Sequence, residues 1–119
     1  MKSEFGLFAF TIRQETKESL RDMAKNLQIT PAFLSAMEVG RKTIPADYVN
    51  KISDIYNLDE NQKEKLQDAI SLSNSKVSLE LSKMNEAQKK TSLLFARKIK
   101  NADPDLISKL QKVLNDDKD

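Results

Sequence analysis

The chain has 119 residues with 39% hydrophobic and 32% charged side chains, 2 Gly, 3 Pro, and neither Cys nor His. That length suits one domain, or one small domain with an appendage, and the composition favours a helical protein over a sandwich, a barrel or a disordered chain. Without Cys and His there is no disulfide, no thiolate or imidazole metal site, no thiol nucleophile and no ordinary general base, so no enzyme, cofactor or metal centre is expected.

The net charge is +2, but it is unevenly placed. Residues 1–74 carry ten Lys/Arg against eleven Asp/Glu, whereas residues 75–119 carry ten against seven. Glu4 and Arg13 flank the short apolar patch of the amino terminus, which argues against a signal peptide, and no apolar run approaches the ~18 residues needed to span a bilayer. Together with the absence of Cys, this reads as a cytoplasmic protein with no membrane partner.

In chain order, Phe5, Phe8, Ala9 and Ile12 have the spacing of an amphipathic helix beginning near Ser3 or Glu4. Ser19 is an N-cap for a second helix with Leu20, Met23, Ala24 and Leu27 on one face, and Asp22 lies in its first turn. Thr30-Pro31 reads as N-cap and first position of a third helix that reaches about Val39, where Gly40 fits a left-handed stop. Pro45 and Asp47 open a fourth helix with Val49, Ile52, Ile55 and Tyr56, closed by Asn57. A fifth begins near Asp59 or Glu60 and buries Leu66, Ala69 and Ile70.

"SLSNSKVS", Ser71 to Ser78, reads as a linker or frayed helix end, which divides the chain into residues 1–74 and 75–119. Asn85 to Lys100 then forms a basic helix, and Asp103-Pro104 restarts a last one. Its stripe of Leu106, Leu110, Val113 and Leu114, with Leu94, Phe95 and Ile99 of the helix before it, is too small to make a core alone. These residues are the candidate dimer or partner interface unless they cap the first domain.

Two short helices joined by a tight turn, the second ending in "SAMEVGRK", have helix-turn-helix spacing. The segment "SLRDMAKNLQITPAFLSAMEVGRKTIP", Ser19 to Pro45, resembles the Xre/Cro-like helix-turn-helix regulators of bacteria and their phages. Ala24, Ile29, Leu34, Ser35, Glu38, Gly40 and Pro45 fall at that family's spacing, and the likeness extends over about Phe5 to Leu72. It implies an all-α chain: a five-helix, lambda-repressor-like DNA-binding domain, followed by a two-helix carboxy-terminal extension.

The resemblance places the third helix in the major groove, with Pro31, Ala32, Ser35 and Ala36 facing the bases and Phe33 at the edge. Pro and Ala cannot make bidentate contacts to purines, so readout falls to thymine methyls, DNA shape and half-site spacing. Thr30, Arg41, Lys42 and Thr43 at the ends of that helix, with Arg13 and Arg21 on neighbouring elements, are the candidate phosphate contacts. Two positions depart from the family: Leu20 replaces a common Gln, and Gln28 replaces a common turn Gly.

The implied function is a sequence-specific transcriptional regulator, a repressor acting as a homodimer on duplex DNA near its own gene. The alternative is an antitoxin or inhibitor that holds a protein encoded nearby through its carboxy-terminal helices. Glu38 reads as a structural partner of an amide or Arg, and Met23, Met37 and Met84 as apolar filler. Lys89, Lys90, Arg97, Lys98 and Lys100 form either a solvated helix face or a nucleic-acid surface.

Overall fold

The computed structural model describes residues 1–117, which contain helices and no strand. The helices are α1 (Glu4–Thr16), α2 (Leu20–Leu27), α3 (Pro31–Glu38), α4 (Tyr48–Tyr56), α5 (Glu60–Asn74), α6 (Glu86–Lys98) and α7 (Pro104–Asp116), with a 3-10 turn at Ile99–Asn101. Among these residues no helix is long and apolar enough to cross a membrane. The chain divides into two compact units between Val77 and Ser78.

Local capping explains most of the helix starts. Ser3 Oγ accepts from the Gly6 amide, Thr30 Oγ1 from Phe33, and Asp103 Oδ1 from Leu106. Ser19–Asp22, Asp59–Gln62 and Asn85–Gln88 form reciprocal capping boxes. At Asp22 the Ser19 amide and hydroxyl hold the carboxyl below its ordinary pKa. The exception is α4, which starts at Tyr48 and not at Pro45. The Tyr48 amide bonds to the Pro45 carbonyl (3.1 Å), making a turn of residues 45–48, and Asp47 makes no side-chain cap.

The five helices of the first unit surround one core. α1 contributes Phe5, Ala9 and Ile12, α2 Met23, Ala24 and Leu27, and α3 Leu34 and Met37. Ile44, Tyr48, Val49, Ile52, Leu66 and Ile70 complete it. Met23 and Met37 are filler, as the spacing suggests, and Ile29 packs at the core's edge. Tyr56 ties α4 to the start of α2: its hydroxyl donates to Glu18 (2.7 Å), which also accepts from Asn26 (2.9 Å). Burial pushes the Tyr56 phenol up to about 12.

α1 crosses the end of α3 at backbone contact. The Ser3 amide and hydroxyl both donate to the Glu38 carbonyl, at 2.8 and 3.0 Å, so the amino end of one helix caps the carboxyl end of the other. Gly6 makes this approach possible, because a Cβ there would overlap the Glu38 carbonyl oxygen and stand 3.1 Å from Glu38 Cβ. Gly6→Ala should therefore cost about 1–3 kcal/mol, despite the better helix propensity of Ala, as thermal unfolding would show.

The Ser-rich stretch is not a linker over its first half. α5 runs to Asn74, and Ser75 ends it with a left-handed φ of 53°. Ser71 to Asn74 stay helical because tertiary bonds hold them: Ser73 Oγ accepts from the Phe5 amide at 2.9 Å, and Asn74 brackets Ile44. In the second unit, the helix expected over Asn85 to Lys100 ends at Lys98 and tightens into the 3-10 turn. None of the described residues of this unit is buried.

Candidate nucleic-acid interface

α2 and α3 pack on one another across a short turn in which Gln28 adopts φ 61°, a left-handed conformation costing a non-Gly residue ~1–2 kcal/mol. The Gln28 amide bonds to Lys25 O (3.1 Å) and the Ile29 amide to Ala24 O (3.0 Å), which offsets that strain by satisfying the end of α2. Thr30 then caps α3 and Pro31 occupies its first position.

The inner face of α3 carries Leu34 and Met37, both fully buried. The outer face presents Pro31 and Ala32, exposed, with Ser35 and Ala36 half-buried beside them. Phe33 divides its role: it packs against the core while keeping part of its ring accessible. This surface of small side chains and one hydroxyl allows close approach to another backbone or to methyl groups, and lacks a bidentate donor.

Both flanks of α3 carry polar groups. Thr30 lies at its start, with exposed Arg21 on α2. Beyond its end Gly40 turns at φ 83°, and Arg41, Lys42 and Thr43 are exposed. No carboxylate of the described residues pairs with Arg21, Arg41 or Lys42. The basic loop is held at both ends. The Arg41 amide bonds to Ala36 O (2.8 Å), and Asn74 accepts from the Ile44 amide (2.8 Å) while donating to the Ile44 carbonyl (2.9 Å). Asn74 thus positions the loop from a segment that reads as linker.

Arg13 leaves the set of candidate phosphate contacts. It is 7% exposed and makes a bidentate pair with Glu38, at 2.6 and 2.9 Å, and Nη1 also lies 3.3 Å from Met23 Sδ. The physical reason is its place on α1: Arg13 follows Phe5 by eight residues and Ala9 by four, on the helix face that enters the core. Glu38 is its structural partner, 3% exposed, as its position among apolar neighbours suggests. The exposed cations on the α1 side of α3 are Lys2 and Lys17, in an open groove that the paired Arg13 and Glu38 also border, with Gln14, Ser35 and Val39. Composition alone gave no reason to prefer them.

In the second unit the candidate interface residues remain accessible. Leu94, Phe95 and Leu106 are 39–44% exposed, Val113 and Leu114 67–68%, and Ile99 and Leu110 are half-buried. Leu106, Leu110, Val113 and Leu114 share one face of α7. No family model matches the chain, and neither a curated protein nor a solved structure matches it.

Proposed function

We propose that the protein is a sequence-specific DNA-binding regulator of the helix-turn-helix type, with a lambda-repressor-like first unit, acting as a homodimeric repressor near its own gene. The observation that carries this reading is α3 itself. Its inner face is locked into the core, its outer face is a strip of small side chains, and polar or cationic groups that no carboxylate neutralises stand at both ends. Such a helix can enter a major groove while the flanking groups bond to phosphates. Pro31, Ala32, Ser35 and Ala36 are the base-facing residues, with Phe33 at the rim. Arg21, Thr30, Arg41, Lys42 and Thr43 are the phosphate contacts.

The test is fluorescence anisotropy of the protein on duplex DNA from upstream of its gene, against a shuffled duplex, at several salt concentrations. A preference of ~10³ or more for the native duplex is expected. Equal binding to both would remove sequence specificity from the reading. Arg41→Ala with Lys42→Ala should weaken binding to both duplexes and reduce the slope of log affinity against log salt by about 2, since each phosphate contact contributes ~0.9.

The exposed stripe of α7 favours one further element, a partner surface. A second copy of the same segment satisfies it within the homodimer. Under the alternative reading, an antitoxin or inhibitor, the stripe would hold a different protein in a complex that survives high salt. Sedimentation equilibrium of the purified protein separates the two: a salt-resistant dimer supports the first, and a monomer the second.

A further inference from the structure

The first unit is electrostatically neutral. Residues 1–77 carry eleven Lys/Arg against eleven Asp/Glu, and the Arg13–Glu38 pair neutralises itself in the core. It therefore brings no net attraction to a polyanion. The positive excess of the chain is concentrated between Lys83 and Asn101, where six cations face a single anion, Glu86. Of these six cations, Lys89 alone pairs with a carboxylate of the described residues, Glu86 at 3.8 Å; Lys83, Lys90, Arg97, Lys98 and Lys100 pair with none. Lys90, Arg97, Lys98 and Lys100 are exposed.

Four of these cations lie on one face, and Lys98 lies off it. At 100° per residue, Lys89, Lys90 and Arg97 share one side of α6 with Leu93, and Lys100 continues it in the 3-10 turn. From Lys89 to Lys100 the rise is about 16 Å, longer than the ~12 Å width of a major groove, so one helix can meet phosphates on both of its edges. A non-helical stretch from Ser75 to Asn85 joins this helix to the first unit, with a reach of up to about 3.5 Å per residue.

We propose that α6 is a second, sequence-independent DNA contact, which grips the phosphate backbone beside the site read by α3. The inference rests on the DNA-binding reading above. It divides the work: the neutral unit recognises, and the tethered basic helix supplies counterion release and raises the local concentration of the reading head. A neutral first unit brings only its local phosphate contacts at Arg21, Arg41 and Lys42, so the long-range attraction to DNA falls to α6.

The experiment uses the full chain with Lys89→Ala, Lys90→Ala, Arg97→Ala and Lys100→Ala combined. Anisotropy is measured on the native and shuffled duplexes from 50 to 300 mM salt. A fall of about 3.6 in the log–log slope is expected, ~0.9 for each of the four contacts, with affinity lost equally on both duplexes and their ratio kept. A charge-preserving variant, Lys89→Arg with Lys90→Arg and Lys100→Arg, should keep the slope. An unchanged slope in the Ala variant, while Arg41→Ala with Lys42→Ala still reduces it, would overturn the role of α6 and leave the DNA-binding reading intact. Slope loss in the charge-preserving variant as well would assign the effect to packing and overturn it too. No binding by the unaltered protein to either duplex would sink both.

Discussion

Glu38→Ala should destabilise the first unit by about 3–5 kcal/mol, because it leaves the Arg13 guanidinium buried without a counter-ion. Both side chains are nearly inaccessible, 8% and 4% exposed, and the pair is bidentate, so water cannot replace the lost carboxylate. Both tyrosines, Tyr48 and Tyr56, lie in the first unit and there is no Trp, so tyrosine fluorescence during urea unfolding reports on that unit alone. The double variant Arg13→Met with Glu38→Leu should recover to within about 1 kcal/mol of the parent, since a buried pair replaced by apolar groups of similar volume is often neutral. If the single variant lost less than ~1 kcal/mol, the pair would be solvated and its place in the core wrong.

Ala32→Glu should abolish DNA binding while leaving the fold unharmed. Ala32 is exposed at the second position of α3, where a carboxylate is favoured by the helix dipole, so unfolding should be unchanged or slightly later. On the face proposed to enter the groove, however, that carboxylate meets phosphates and base edges of like sign. A loss of at least 100-fold in affinity is expected, equivalent to about 3 kcal/mol. Binding that tolerated Glu at this position would take α3 out of the major groove.

Helix starts were readable wherever the determinant was local. Ser19, Thr30-Pro31, Asp59, Asn85 and Asp103 each cap the helix that their position predicts, because a cap is an interaction over three residues. What escaped depends on distant partners. Ser71 to Asn74 read as linker or frayed helix end by composition; they are the last turn of α5, held by bonds from Ser73 and Asn74 to groups 68 and 30 residues away. Gly6 reads as an ordinary weak point in a helix until the Glu38 carbonyl is placed against it.

Arg13 lies between these cases. Its phase on α1 pointed inward, but a cation on an apolar face is equally compatible with a side chain that reaches out to water. Only the position of Glu38, 25 residues on, decides between them. The outer face of α3 was legible for the opposite reason: its residues need no partner within the chain.

The three bonds made by Ser73 and Asn74 also set where this protein can be cut. A fragment ended at the last core residue, Ile70, would look complete by hydrophobic content. It would nevertheless leave the Phe5 amide and both backbone groups of Ile44 without their partners, loosening the first turn of α1 and the basic loop after α3 together. A fragment ended after Lys76 keeps all three. The shortest self-sufficient form of the first unit is therefore defined by two polar side chains beyond the core.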